Sequence, residues 1–236
     1  MVIIILFLLI TMNAFSQKYV FINDHCIISK ETTSIDFFHI NSTISRAEIE
    51  VGDKIGTIQK LPDVLSKKFN SEIKESQALY AQRDYLKAAF ILEDAYESEP
   101  ENLFIAENYA RALYNIDGSK AKAFEVYKRL VDQLNTKYNE QSNELKIDVW
   151  HRESYWKLAT LYLDHQDYES AIDLLIKFQL SIVDYIGKPV YNQVLEYMTE
   201  CTFYLNEIEI SKKLAQLTLK YDPKNSYITE LLKKVR

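Results

Sequence analysis

Histidine and cysteine are the residues of this chain best suited to metal binding or nucleophilic chemistry, and they are few. The 236-residue sequence contains four histidines and two cysteines. If His151 and His165 lie on one helix, their separation of fourteen positions corresponds to about 21 Å, too far for a shared metal ion. His25 and Cys26 are adjacent, and adjacent residues of a strand point to opposite faces. These residues predict no metal site.

No catalytic or cofactor-binding motif accompanies them. The sequence lacks a glycine-rich phosphate loop, a His-Glu-x-x-His helix, a nucleophile elbow and a Cys-x-x-Cys pair. Cys26 and Cys201 are far apart in the chain, and we expect two separate buried thiols, with a disulfide between them as the alternative. We therefore expect a protein that is not an enzyme and that binds no cofactor or metal.

Composition favours long helices over a turn-rich β fold. Hydrophobic residues make up 47% of the chain, enough for a packed core, whereas glycine and proline occur only four times each. Sandwiches and barrels need such residues at many tight turns. The formal net charge is −6, which argues against nucleic acid as a partner. Membrane contact is expected only if the N-terminal segment described next is retained.

Residues 1–16 have the character of a secretory signal peptide. The segment MVIIILFLLITMNAFS is shorter than the roughly 20 apolar residues of a membrane-spanning helix. It ends in a small-x-small triplet, which predicts cleavage after Ser16. No lysine or arginine precedes the apolar run, so a retained membrane anchor is the alternative. The prediction is an exported protein, periplasmic or associated with the cell envelope.

Residues 17–61 differ in amino-acid composition from the rest of the chain. They contain short runs rich in β-branched and aromatic residues, and Gly52 and Gly56 lie among them. Such runs favour two to four short strands in a small β-rich appendage. An extended arm packed along the helices is the alternative. Pro62 then suits the first turn of a helix.

Residues 71–100 predict two helices that pack against each other. The first helix ends before Tyr85, where the second begins, and Pro100 terminates the second. Ala88 and Ala95 are small at positions where helices must approach closely. The segment resembles a tetratricopeptide repeat, a unit of about 34 residues, in its pair of helices, its aspartate–tyrosine turn and its closing proline.

The same pattern recurs three times along the chain. The second unit has Ala123 at the close-approach position and a longer turn containing Gly118. The third unit repeats the aspartate–tyrosine turn before Ala171, and the fourth has Ser211 in place of alanine and closes at Pro223. The resemblance covers residues 69–236 and implies about four helical hairpins.

The repeats are unevenly spaced. The close-approach positions are separated by 35, 48 and 40 residues, against about 34 in an ideal array. The largest excess falls in residues 132–150, which are polar in the middle. Either the flanking helices are elongated or a loop projects there.

The C-terminal residues predict a capping helix. Ile228, Leu231, Leu232 and Val235 recur at helical spacing with lysines between them, as expected of a helix that covers the last apolar face of a solenoid. The predicted organisation is a signal peptide (1–16), a β-rich appendage (17–61), about four hairpins (62–223) and a capping helix (224–236). The fold class is all-α, a right-handed tetratricopeptide-type solenoid with a small N-terminal β-rich appendage.

The resemblance implies a protein-binding function on a concave face lined by the first helix of each unit. The positions expected to contact a partner are Ile73, Gln77, Tyr80, Arg111, Tyr114, Trp156, Thr160 and Phe203. An indole is a favoured contact in protein interfaces, although Trp156 could instead be wedged in the core. A lone Arg111 does not form the basic cluster that holds a partner's terminal carboxylate.

The predicted function is a non-catalytic scaffold or adaptor of the cell envelope that binds a protein partner of unknown identity. The alternative is a glycan-binding outer-membrane component built on tetratricopeptide helices. Proteins of that class are longer and carry large inserted loops at the sugar site, for which this chain has little room.

Overall fold

The computed structural model describes residues 18–22, 26–29, 68–141, 151–182 and 185–234. The predicted signal peptide, the helix start at Pro62, most of the 17–61 appendage and residues 142–150 lie outside the described residues. Predictions that concern them stay predictions.

The described residues form two short strands and a succession of helices. In chain order these are β1 (Tyr19–Ile22), β2 (Cys26–Ser29), α1 (Asn70–Ala81), α2 (Tyr85–Ser98), α3 (Leu103–Tyr114), α4 (Lys120–Gln141), α5 (Arg152–Asp164), α6 (Tyr168–Ser181), α7 (Pro189–Tyr204), α8 (Ile208–Tyr221) and α9 (Ser226–Lys234). The pairs α1–α2, α3–α4 and α7–α8 pack as helical hairpins. This arrangement confirms the predicted all-α, tetratricopeptide-type fold.

The chain divides into two compact units. The N-terminal unit ends at Asp167 and contains α1 to α5, whereas the C-terminal unit begins at Tyr168 and contains α6 to α9. The hairpin formed by β1 and β2 belongs to the C-terminal unit, although it precedes all the described helices in the sequence. Each unit has its own buried core.

The small residues at the close-approach positions are buried. Ala88 and Ala123 have no exposed surface, and Ser211 is 1% exposed. In the first unit, Ser76 Oγ on α1 donates to the Ala88 carbonyl on α2 at 3.0 Å. In the fourth, Ser211 Oγ on α8 donates to the Thr199 carbonyl on α7 at 3.2 Å. A serine therefore replaces alanine there without leaving its hydroxyl unpaired.

The turns within the hairpins share one backbone conformation. Arg83, Gln166 and Asn206 adopt positive φ angles of 64°, 59° and 61°. In each turn the following N–H donates to a carbonyl five residues earlier, over 3.0, 3.0 and 2.8 Å, which is the Schellman arrangement. The longer second turn contains Gly118 at φ 80°. In the two aspartate–tyrosine turns, the aspartate thus directly follows a residue in the left-handed backbone conformation.

The insertion is partly accounted for by an elongated helix. α4 has 22 residues, whereas the equivalent second helix of the first unit, α2, has 14. α4 is therefore elongated, whereas α5, with 13 residues, is not. The loop alternative concerns residues 142–150, which lie outside the described residues.

A buried polar cluster joins the start of α5 to α3 within the N-terminal unit. His151 Nδ1 lies 2.9 Å from Glu107 Oε2, and Ser154 Oγ donates to Glu107 Oε1 at 3.2 Å. His151 is 1% exposed and Ser154 is fully buried, and the His151 ring packs 4.9 Å from that of Phe104. The start of α5 is thereby attached to α3.

The hairpin of β1 and β2 contacts α8 and α6, respectively, within the C-terminal unit. The Lys18 N–H donates to Glu207 Oε1 at 2.8 Å, and the Ile27 N–H donates to Gln179 Oε1 at 3.3 Å. Cys26 Sγ lies 3.3 Å from Tyr191 Oη. Cys26 and Cys201 are both buried and neither forms a disulfide, which confirms the prediction of two separate thiols.

The predicted capping helix is present as α9. Ile228 and Leu231 are buried against Ala215 of α8, and Phe203 and Leu232 pack around them. The polar-backed helix thus covers apolar surface of α7 and α8, as predicted for a cap.

The Gly118 turn gives a test of backbone strain. Gly118→Ala is expected to lower the free energy of unfolding by about 1 kcal/mol, since a Cβ is strained at positive φ. In the described part of the chain nothing beyond its chain neighbours lies within 4 Å of that Cβ position, so packing adds little. Gln166→Gly, the converse exchange, is expected to raise stability by up to about 1 kcal/mol. Urea denaturation measures the free energy of unfolding of both variants. A Gly118→Ala protein as stable as the unmodified chain would contradict the strain argument.

The Glu107 cluster gives a second test. Glu107→Ala is expected to lower the free energy of unfolding by about 2–4 kcal/mol, because two buried polar groups lose their partner. Glu97 is exposed on α2, and Glu97→Ala serves as the control, with an expected change within about 0.5 kcal/mol. Chemical denaturation of both variants checks this, and equal effects would show that the cluster adds nothing to stability.

Candidate partner-binding face

The first helices α1, α3 and α5 lie side by side in the N-terminal unit, joined by contacts between their side chains. We call the surface that carries Gln77, Tyr80, Arg111, Tyr114, Trp156 and Thr160 the first-helix face. All six of these predicted contact residues are partly exposed there. Ile73, by contrast, has no exposed surface, and its placement at an exposed position was wrong, because it lies on the side of α1 that faces the core.

Arg111 connects the three helices at one end of the face. Its guanidinium lies over the Tyr80 ring of α1, with Cζ 4.6 Å from the ring centroid, and Nη1 lies 3.5 Å from Glu153 Oε2 of α5. Asn115 Nδ2 donates to Tyr80 Oη at 3.2 Å. Burial raises the pKa of Tyr80 above its ordinary value, and the nearby Arg111 opposes that rise. The phenol therefore stays neutral at physiological pH.

Tyr114 is held in the same way by α5. Its hydroxyl lies 3.0 Å from Thr160 Oγ1, and Lys157 Nζ lies 4.3 Å from the centroid of its ring. Tyr127 of α4 packs edge-on beneath it, with ring centroids 6.5 Å apart. Cations over aromatic faces are favourable contacts, so Lys157 and Tyr127 both help to hold the Tyr114 ring in place.

Three predicted contact residues remain to be placed: Trp156, Gln77 and Phe203. Trp156 and Gln77 are partly buried, so each has surface available on the face. Phe203 belongs to the C-terminal unit, where it packs against the core beneath α9. It therefore belongs to a different compact unit from the other predicted residues.

Sequence reasoning did not identify Glu153, Lys157 and Asn115 as parts of the face. Glu153 lies three residues from Trp156 and Lys157 three from Thr160. Asn115 lies four residues from Arg111, so helical spacing carried a weak signal for all three. The sequence carried no signal for pairs of residues on different helices, such as Arg111 with Glu153. Such pairing depends on how α3 and α5 are aligned.

The described residues do not assemble a recognisable catalytic or metal site. Among them, no group of three or more histidine, cysteine, aspartate or glutamate side chains could hold a metal ion. The cluster of Glu107, His151 and Ser154 contains the residue types of a hydrolase triad. However, both other side chains bond to the carboxylate, whereas a triad requires the histidine to accept the serine proton.

Comparison with known proteins gives a fold but no family. No protein-family model matches the sequence, and no curated protein matches it. A solved structure of MamA from AMB-1 aligns with a TM-score of 0.55 at 15% identity, covering 71% of this chain and 80% of that one. Another MamA crystal structure aligns with a TM-score of 0.52 at 15% identity, covering 72% and 82%. The chain therefore shares the helical-repeat fold of these structures.

Proposed function

We propose that this protein is a non-catalytic interaction scaffold or adaptor that binds a protein partner through the first-helix face. The observation that carries the proposal is the set of partly exposed aromatic and charged side chains held together across α1, α3 and α5. Arg111 joins Tyr80 to Glu153, and Tyr114 is joined to Thr160.

The fixed geometry of these side chains supports binding. Aromatic residues and arginine carry much of the binding energy at protein interfaces. Ordering a flexible side chain on binding opposes association by about 0.5–1.5 kcal/mol each. Tyr80 and Tyr114 are already held by neighbouring groups, so little further ordering is required.

The charges of the first-helix face indicate what type of partner it can bind. Arg111 faces Glu153, and Lys157 lies over Tyr114, so both signs are present and partly compensated. A partner's terminal carboxylate would have to compete with Glu153 for Arg111. A mixed polar and aromatic segment of a folded or extended protein fits better than an anionic chain end.

We also propose that the protein acts in the cell envelope, after export directed by residues 1–16. None of the described helices is both long and apolar enough to cross a membrane. The character of the N-terminal run supports export, and retention of that run as an anchor remains the alternative.

The mature N-terminus tests this location. We expect N-terminal sequencing of the protein from its native host to begin at Gln17, because signal peptidase cleaves after small-x-small triplets. A chain that retains residues 1–16 in the membrane fraction would support the anchored alternative instead.

Trp156→Ala tests the first-helix face. We expect capture of envelope proteins to fall about tenfold, since truncating an interface tryptophan often weakens binding by 1.4 kcal/mol or more, about tenfold in affinity. Phe90→Ala is the control, because Phe90 is 76% exposed on the second helix α2. Quantitative pull-down from envelope fractions, with circular dichroism as the check on folding, measures both.

Two other outcomes of this experiment would point to a different contact surface or to a different function. If capture survives Trp156→Ala in a folded protein but is lost in Phe90→Ala, the second-helix surface is the contact surface. If no protein is captured and a glycan array gives binding, the glycan-binding alternative replaces the scaffold.

A further inference from the structure

The C-terminal unit carries an exposed cluster of aromatic rings. The rings of Tyr168 and Tyr204 stack with centroids 4.5 Å apart and an interplanar angle of 14°. Phe203 packs edge-on against Tyr204 at 5.2 Å, and Tyr204 and Tyr227 are 52% and 42% exposed. We call Tyr168, Phe203, Tyr204 and Tyr227 the aromatic cluster. Contiguous exposed apolar surface marks interaction sites, whereas single exposed hydrophobic residues are ordinary.

Two carboxylates lie beside this cluster on α7. Glu196, Glu200 and Tyr204 are spaced four residues apart, which places them on one face of the helix. Asn225 Nδ2 donates to Glu196 Oε2 at 2.6 Å, and the Tyr227 hydroxyl bonds to Glu200. The hydrogen-bond donors that face the two carboxylates are therefore neutral.

The charge on this face is not compensated within the described part of the chain. Other exposed carboxylates of the same unit are paired, as Glu209 is with Lys212 at 3.2 Å. Neither Glu196 nor Glu200 forms an ion pair with a described lysine or arginine. Burial raises the pKa of Glu200, the hydrogen bond from Tyr227 opposes that rise, and the neighbouring Glu196 adds to it. A bound cation would favour the charged form of both carboxylates.

We propose that this face binds an arginine side chain from a basic segment of a partner protein. A guanidinium is planar, so it stacks on an aromatic ring, and its N–H groups match a carboxylate. A guanidinium stacked on the exposed side of the Tyr204 ring would point toward Glu200, four residues earlier on α7. A lysine ammonium offers the charge without the stacking plane, and an anionic partner is disfavoured by both carboxylates.

This inference goes beyond the function proposed above. It concerns residues of α6, α7 and α9 in the C-terminal unit, whereas the first-helix face lies in the N-terminal unit. Loss of arginine binding would leave the first-helix proposal standing, and failure of the Trp156 experiment would leave this one standing.

The test uses a short basic peptide and the full chain. Isothermal titration calorimetry with acetyl-Gly-Arg-Gly-Arg-Gly-amide is compared with the same peptide carrying lysine. We expect the arginine peptide to bind, and Glu200→Gln and Tyr204→Leu each to weaken it by about fivefold. Glutamine preserves an acceptor for Tyr227, so the fold should be retained, and thermal melting verifies this.

Glu209→Gln is the matched control, because it removes the same charge from the same unit outside the cluster. We expect it to change the affinity by less than about twofold. Three results would overturn the proposal. They are no binding of the arginine peptide at about 5 mM, equal losses in Glu200→Gln and Glu209→Gln, and no preference for arginine over lysine. Weakening by Glu200→Gln without weakening by Tyr204→Leu would exclude the stacked arrangement.

Discussion

The close approach of two helices at a small residue is the constraint on which this structure depends. Ala88, Ala123 and Ala171 are fully buried, and Ser211 is nearly so, because a larger side chain there would hold the paired backbones apart. Once the hairpins close, alternate helices are brought side by side. In the N-terminal unit this aligns α1, α3 and α5, and the side chains of the first-helix face meet only as a consequence of that alignment.

Local signals in the sequence predicted the elements that depend on local chemistry. The aspartate–tyrosine turns, the small residues and Pro100 predicted α1 and α2 closely, and the spacing of Ile228 and Leu231 predicted the cap. The sequence also left open how the insertion is built, which α4 resolves in part through its greater length. Such features need no knowledge of distant parts of the chain.

Features that depend on distant residues could not be predicted in this way. The polar contacts that dock the N-terminal hairpin join Lys18 to Glu207 and Ile27 to Gln179 across more than 150 residues of chain, and no local pattern encodes them. Ile73 was misplaced because its helical position suits either face of α1 until the helix is rotated against its neighbours. Glu153 and Lys157 were missed because their roles come from pairing with α3.

The central claim is that α1, α3 and α5 present a protein-binding surface. Hydrogen–deuterium exchange of the full chain, alone and with a protein that it captures from the envelope, tests this most directly. The account predicts slower exchange on binding in the segments of α1, α3 and α5, with α2 and α4 unchanged. Protection confined to α2 and α4, or found only in the C-terminal unit, would contradict it.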